Sequence, residues 1–355
     1  MIYVLLLLSV FVFYPLCTYN YKSIGNKWMF SEENQKKNYC LLTALFMIVI
    51  IGCRSVNVGI DTLSYADIFS NVNFWGLKNS LNTMDIEQGY IVLQYFLGRI
   101  GGVKLLLIVE ACVLILPFTI IVYKYSRMLW FSFFIFITFD TFIFSLSGIR
   151  QSLAIGCTMV AFLFIKRDNL VGFLLSALLA ISFHMTAIFF LPAYWLNKME
   201  LSRKNIIIFI IGIIGVFLFS DSIFQFLNSN ARLEYNYIET GGTLMFVFQM
   251  ITLCIGIFYR KALLQEDKNN KFFFYALFVT IAFFPLTRTN PTLFRMTYYY
   301  SAYMTLFIPN MFSVIKDKGI RWLLISVYIV IFLYYFIFKT NLVDIQVLPY
   351  YFFWQ

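Results

Sequence analysis

One arginine, Arg150, interrupts a long apolar stretch of the sequence. It stands beside Gln151, and apolar runs lie on both sides of the pair. An arginine at membrane depth is costly unless it meets a partner, water or an anionic ligand. Its guanidinium group binds phosphate through two parallel hydrogen bonds. We therefore predict that Arg150 and Gln151 belong to a functional site that binds an anion. The structural alternative is an ion pair of Arg150 with Asp140 or Glu110, which lie within other apolar runs.

Two carboxylates and the only histidine stand at further polar breaks in the chain. Asp61 or Glu87 can take a proton from an attacking hydroxyl group, and His184 can position a substrate. Each has a structural alternative. Asp61 can cap a helix that starts near Leu63, Glu87 can stabilise the first turn of a helix over 89–100, and His184 can hydrogen-bond its neighbours.

More arginines and several tyrosines complete a predicted substrate-binding set. Its members are Arg54, Tyr65, Tyr90, Gln151, Arg288, Arg295 and Tyr298. The two C-terminal arginines can also be interfacial anchors, and Tyr298 can belong to an interfacial aromatic belt. Cations beside carboxylates suit the transfer of a group away from a membrane-anchored phosphate or diphosphate, because cations stabilise the departing charge.

Several common catalytic motifs are missing from the sequence. It has no G-x-x-x-x-G-K-[ST], H-E-x-x-H or D-x-D motif, and its six cysteines form no C-x-x-C pair. We therefore expect no cofactor, no metal and a lipid-linked rather than a nucleotide-linked donor.

The composition is that of a protein in a lipid bilayer. Hydrophobic residues make up 61% of the 355 residues and charged residues 12%, against about 25% in soluble domains. The mean hydropathy is +0.80. The net charge of +10 comes from short loops and does not indicate nucleic acid. These values predict an all-α, polytopic membrane helix bundle that forms a single domain over 1–355.

Apolar runs predict about twelve transmembrane helices. They lie at 1–19, 39–53, 104–123, 129–147, 150–166, 169–183, 185–197, 205–220, 243–260, 272–287, 292–312 and 320–338. A shorter run at 89–100 predicts an interfacial or re-entrant helix, and the two long outward loops are 54–88 and 221–242. Of the 27 Lys and Arg residues, 18 lie in one set of loops, which the positive-inside rule makes cytoplasmic. The candidate site then faces the periplasm or exterior.

Four segments of the chain resemble the EpsG family, which belongs with the Wzy-type polymerases of O-antigens, capsules and exopolysaccharides. They are Gly59-Ile-Asp-Thr-Leu-Ser-Tyr65, Glu87-Gln-Gly-Tyr90, Ser147-Gly-Ile-Arg-Gln-Ser-Leu-Ala154 and Phe183-His-Met-Thr-Ala-Ile188. The resemblance implies a bacterial inner-membrane glycosyltransferase that joins glycans carried on undecaprenyl diphosphate. It also carries over Asp61, Glu87, Arg150, Gln151 and His184 as site residues. The expected partners are lipid-linked oligosaccharides, the bilayer and a chain-length regulator protein.

The resulting mechanistic hypothesis is an inverting, metal-independent displacement at the anomeric carbon. Arg150, helped by Arg288 or Arg295, holds the donor diphosphate, and one of the two carboxylates is the base. Three other functions stay open: a flippase for lipid-linked oligosaccharides, a polysaccharide O-acetyltransferase and an O-antigen ligase. Transporters usually show repeat symmetry, and none is visible in this sequence.

Overall fold

The computed structural model describes residues 2–18, 32–231, 242–287, 293–342 and 345–355. Helices make up 82% of it, and no strand occurs among the described residues. A single β-bridge joins Arg54 to Phe352 outside any strand. The predicted all-α class is confirmed.

Eighteen α-helices and one 3-10 helix follow each other along the described chain. They are α1 (Ile2–Thr18), α2 (Glu32–Gly52), α3 (Thr62–Trp75), α4 (Leu77–Thr83), α5 (Gln88–Ile100), α6 (Val103–Tyr125), α7 (Leu129–Thr138), α8 (Asp140–Ser145), α9 (Ile149–Ile165), α10 (Leu170–Phe183), the 3-10 helix (Met185–Phe190), α11 (Ala193–Lys198), α12 (Arg203–Leu218), α13 (Ser220–Ala231), α14 (Gly242–Glu266), α15 (Asn270–Thr287), α16 (Phe294–Ser301), α17 (Met304–Ser313) and α18 (Lys318–Thr340).

The chain divides into two compact units. The first comprises Met1–Ile188 and Leu324–Gln355, and the second comprises Phe189–Leu323. The single domain expected over 1–355 stays a prediction. Among the residues singled out from the sequence, Asp61, Glu87, Arg150 and His184 all lie in the first unit.

Among the described residues, fewer than twelve helices are long and apolar enough to cross a bilayer. Within the described ranges, four helices are long and apolar enough to cross a bilayer alone, namely Val103–Tyr125, Leu244–Glu266, Asn270–Thr287 and Lys318–Thr340. A fifth span arises if the pair α12 and α13, bent by 76°, crosses as one. Four shorter apolar helices fall below the ~20 residues of a full crossing. Twelve spans are therefore not confirmed.

Several predicted runs and loops have a different local structure. The run 129–147 breaks at Phe139, whose extended backbone (φ −96°, ψ 169°) separates α7 from α8. The run 185–197 is a 3-10 helix followed by the short α11. The supposed loop 54–88 contains α3 and α4, and 221–242 begins as the helix α13 before it leaves the described residues. Apolar composition does not reveal such breaks, since a buried helix and a broken one have the same residue types.

The packing of α6, α9 and α10 decides on which side of the first unit the candidate site lies. Gly156 of α9 packs against the carbonyl of Val113 in α6, and a β-carbon there would come within 2.2 Å of that oxygen. The short turn after α9 ends at Asn169, whose side chain accepts a hydrogen bond from the Gly172 N–H at 2.8 Å and caps α10. Helix α10 therefore runs back along α9. The start of α9 and the end of α10 lie on the same side of this unit.

Candidate functional site

The centre of the candidate site is the carboxylate of Glu87. Its Oε2 accepts a hydrogen bond from Arg150 Nη1 at 2.5 Å, and its Oε1 lies 3.0 Å from His184 Nδ1. The same Oε1 accepts the backbone N–H of Met185 at 3.1 Å. Glu87 precedes α5, Arg150 lies in the first turn of α9, and His184 follows α10. One carboxylate thus joins three helix ends.

A glycine allows these helix ends to meet. Gly89, in the first turn of α5, lies against Ser182 near the end of α10. A β-carbon at Gly89 would stand 2.3 Å from Ser182 Oγ and 2.7 Å from its carbonyl oxygen, which no side chain tolerates. The close approach brings Glu87, two residues earlier, within reach of His184, two residues later than Ser182.

Glu87 is a partly exposed carboxylate with strong partners. The side chains of Glu87, Arg150 and His184 are 18%, 22% and 22% exposed. Burial raises the pKa of Glu87, but the hydrogen bond with His184 and the charge of Arg150 outweigh it and hold that pKa at about 2. Glu87 is therefore ionised at neutral pH and is a weak base.

The ionised Glu87 also determines the tautomer of His184. A carboxylate can only accept hydrogen bonds, so Nδ1 of His184 must carry the proton in this contact. In the neutral ring, Nε2 then has the free lone pair. Because Nδ1 is engaged by Glu87, Nε2 is the ring nitrogen left for a further partner.

Tyr65 lies beside Arg150, and Tyr90 packs against Tyr65. The guanidinium carbon of Arg150 lies 5.7 Å from the centre of the Tyr65 ring, and that ring meets Tyr90 edge to face at 5.9 Å. Tyr90 is fully buried, while Tyr65 is part-buried. The structure thus brings both predicted tyrosines to Arg150, although only Tyr65 has surface to offer a substrate.

Asp61 lies at the junction between α3 and the segment before α9. Its backbone N–H donates to Ser147 Oγ at 3.2 Å, and the Ser147 hydroxyl approaches Asp61 Oδ2 at 3.5 Å. Gly59, two residues earlier, has φ +91°, and a β-carbon there would lie 1.8 Å from the Leu146 carbonyl. Because Asp61 precedes Tyr65 by one helical turn, both face the start of α9.

The structural alternatives for these charged residues have different outcomes. Asp61 stands before α3 but its side chain makes no capping hydrogen bond, whereas Glu87 stands directly before α5, where its charge can stabilise the first turn. Arg150 pairs with Glu87 and not with the two acids considered from the sequence. Asp140 instead accepts a hydrogen bond from Tyr335 at 2.5 Å, and Glu110 pairs with a different arginine.

That arginine is Arg54, which the sequence predicts to bind substrate. Its Nη2 lies 3.0 Å from Glu110 Oε2, and its Nη1 donates to the Ile51 carbonyl at 2.5 Å. Both charged side chains are completely buried. This enclosure leaves no exposed surface for a substrate and assigns Arg54 a structural contact.

The other predicted binding residues are scattered. Gln151 is buried beside Arg150, with 3% of its surface exposed. Arg288 lies outside the described residues, and Arg295 is part-buried near the start of α16 in the second unit. Tyr298 in the same helix is 2% exposed and meets Phe294 edge to face. Burial argues against sugar stacking on Tyr298.

Three contributors to the site are not singled out by their residue types. Ser147 and Ser182 are small polar residues of the kind found in many helix ends, and the Met185 contact uses only its backbone N–H. None of these roles depends on an unusual residue type. Among the described residues no group of three or more His, Cys, Asp and Glu side chains is arranged to hold a metal.

Apolar helices that carry an arginine, a carboxylate and a histidine at adjoining ends define a helical membrane protein with a polar cluster between helix ends. The family model of the EpsG family matches residues 37–352. The chain belongs to the EpsG family, and the resemblance seen in the four motifs is confirmed. Neither the curated proteins nor the solved structures contain a match. Membership is compatible with polymerase-type chemistry on exopolysaccharide or O-antigen.

Proposed function

We propose that this protein is a glycosyltransferase that polymerises oligosaccharide repeat units carried on a polyprenyl diphosphate, with undecaprenyl diphosphate as the expected carrier. The observation that carries the proposal is the Arg150–Glu87–His184 cluster, a partly exposed cation held among apolar helices. This setting suits a lipid-linked diphosphate, because its charge stays at the membrane surface while its tail lies in the bilayer.

In the proposed mechanism Arg150 binds the donor diphosphate. Its guanidinium carries five N–H donors, and Glu87 uses one of them through Nη1. Glu87 and the ring of Tyr65 fix the side chain in place before the substrate arrives. A preorganised cation stabilises the negative charge that develops on the leaving group without reorganisation during the reaction.

Glu87 serves as an anchor, and Asp61 serves as the base. A carboxylate with a pKa of about 2 removes protons poorly, whereas the carboxylate of Asp61 makes, among the residues that the structure describes, only the long contact with Ser147 at 3.5 Å. The acceptor hydroxyl gives its proton to Asp61 and its oxygen bonds to the anomeric carbon. The bond from that carbon to the diphosphate breaks with inversion, and the diphosphate leaves with the electron pair. His184 Nε2 hydrogen-bonds the acceptor or the diphosphate.

The orientation and the partners are also part of the proposal. The cluster faces the periplasm or cell exterior, as the distribution of Lys and Arg predicts. Both donor and acceptor are lipid-linked glycans, and a chain-length regulator protein limits the product. The diphosphate-binding role of Arg288 and Arg295 stays a prediction from the sequence.

The test compares Arg150→Ala, Arg150→Lys and the control Arg167→Ala in a host lacking the wild-type gene, with surface and lipid-linked glycans sized on gels. Arg167 is exposed on the turn after α9. We expect Arg150→Ala to lose polymer, with a rate at least ~100-fold lower, as when an oxyanion-stabilising donor is removed. Arg150→Lys keeps the positive charge but loses the two parallel hydrogen bonds of the guanidinium group, so polymerisation should stay impaired. Arg167→Ala should make chains of normal length.

The glycans that accumulate identify the step. Single repeat units at the outer face support the proposal. Long chains from a well-expressed Arg150→Ala protein contradict it. Repeat units trapped at the cytoplasmic face would indicate a flippase, full-length chains without acetyl groups an acetyltransferase, and long chains left on the lipid carrier a ligase.

A further inference from the structure

We propose that the C-terminal tail, residues 345–355, is a positioning element of the candidate site that holds Asp61 through the backbone of residues 53–60. The inference rests on the proposed function, in which Asp61 is the base. It assigns a catalytic purpose to a segment that contributes no side chain to the Arg150–Glu87–His184 cluster.

The tail lies along residues 53–60 almost like the partner strand of a ladder. The Ser55 N–H donates to the Tyr351 carbonyl at 2.9 Å, and the Phe353 N–H donates to the Cys53 carbonyl at 3.0 Å. Arg54 and Phe352 form the antiparallel bridge between these two bonds. The tail therefore fixes the chain where it leaves α2.

A second pair of bonds reaches almost to Asp61. The Gly59 N–H donates to the Gln346 carbonyl at 2.8 Å, and the Ile60 N–H donates to the Ile345 carbonyl at 3.1 Å. On its other side, Gly59 contacts the Leu146 carbonyl just before α9. The turn that presents Asp61 to Ser147 is thus held between the tail and the start of α9.

The tail is itself attached to the helices of the first unit. The Tyr3 hydroxyl donates to the Val347 carbonyl at 3.0 Å, and the Tyr350 hydroxyl donates to the Ile50 carbonyl at 2.7 Å. The Lys104 amine lies 4.5 Å from the centre of the Phe353 ring. These contacts join the tail to α1, α2 and the first turn of α6. The tail thereby holds the Asp61 turn at a fixed position relative to these helices.

Gln346 offers a substitution series that acts on the backbone alone. Its φ is +52°, and its side chain is exposed. Glycine adopts this φ freely, whereas valine strains there and proline, fixed near −65°, cannot adopt it. Gln346→Gly therefore keeps the carbonyl in place for Gly59, while Gln346→Val and Gln346→Pro displace it to increasing degrees.

The experiment measures the extension of lipid-linked repeat units by the purified full-length protein in nanodiscs. Melting temperature and hydrogen exchange of the peptide covering 53–61 are measured on the same samples. We expect Gln346→Pro to lower kcat at least tenfold with KM within twofold, because a small misplacement of a catalytic group slows chemistry more than binding. Exchange over 53–61 should quicken, Gln346→Gly should match wild type and Gln346→Val should fall between them. If the proline variant does not fold, Gln346→Val carries the test.

Each outcome decides the matter. A folded Gln346→Pro or Gln346→Val protein with wild-type kcat overturns the proposal. So does a loss confined to melting temperature and yield with kcat per folded molecule retained, since the tail would then be only structural. A wild-type protein that extends no repeat unit would contradict the proposed function. Normal hydrogen-exchange protection over 53–61 in that sample would show that the tail still contacts these residues.

Discussion

At the scale of single residues, the arrangement around Glu87 decides what the other polar groups can do. The carboxylate contacts a guanidinium, an imidazole and a backbone N–H at the same time. The Glu87 carboxylate therefore holds these three partners in place. The sequence left open whether Glu87 or Asp61 is the base, and the low pKa of Glu87 favours Asp61 for that role.

The ion pair of Glu87 predicts how stability depends on pH. Its pKa is lowered from 4.5 to about 2 in the folded protein, so its ionised form stabilises the fold above about pH 4.5. That contribution is lost as pH falls from about 4.5 toward 2. We expect the melting temperature of wild type to exceed that of Glu87→Gln at neutral pH, and the difference to shrink only below about pH 4.5. A difference already lost at pH 6 would contradict this assignment. The measurement is a thermal melt in detergent at a series of pH values.

The buried Arg54–Glu110 pair predicts a loss of stability without a loss of chemistry. Glu110→Leu leaves the Arg54 charge without its partner and should lower the free energy of unfolding by roughly 3–5 kcal/mol. The double variant Arg54→Met with Glu110→Leu should recover most of that stability and should still make polymer. Chemical unfolding and glycan gels measure the two effects. A well-folded double variant that makes no polymer would instead support the substrate-binding role that the sequence predicts for Arg54.

At the scale of helices, the site depends on two close approaches. α5 meets α10 at Gly89, and the turn before α3 meets the segment before α9 at Gly59. The four motifs that resemble the EpsG family are distant in sequence, and these contacts join them in pairs. The glycines in the motifs therefore have a packing role beside the charged residues.

Alanine at these glycines should separate the helix ends. Gly89→Ala should push α5 from Ser182 and weaken the Glu87–His184 contact, and Gly59→Ala should clash with the Leu146 carbonyl at a strained φ. We expect both to lower polymerisation by at least about tenfold, in line with small misplacements at a catalytic site. Gly102→Ala is the matched control, because a β-carbon there meets nothing within 4 Å. Polymer length and folded yield are measured for all three; wild-type chains from Gly89→Ala would refute the argument.

At the scale of the whole molecule, the clearest open prediction is the side of the membrane that the cluster faces. Met185 follows His184 and is 60% exposed, while Arg167 is exposed on the turn at the opposite end of α10. In a background with the six cysteines replaced by alanine, we expect Met185→Cys to react with a membrane-impermeant maleimide in intact spheroplasts. Arg167→Cys should react only after lysis. The reversed pattern would place the cluster in the cytoplasm and exclude a polymerase acting at the outer face.

The sequence by itself determined the all-α membrane class and the family, and it singled out Asp61, Glu87, Arg150 and His184 as a candidate set. The apolar composition indicates a bilayer environment. A charged residue within apolar sequence indicates a site, because it is costly unless it meets a partner, water or a ligand. Sequence did not determine how many helices cross the membrane, since apolar runs hide breaks such as the one at Phe139.

Only the tertiary structure decided which charges pair with each other. Arg150 pairs with neither of the two acids that the sequence offered as its partners. One of them, Glu110, forms a completely buried ion pair with Arg54. The tertiary structure also decided that the tail meets the Asp61 turn nearly 300 residues away, through backbone groups that every residue type possesses. Pairing depends on which helix ends pack together, and packing is a property of the folded chain that residue types and spacing do not specify.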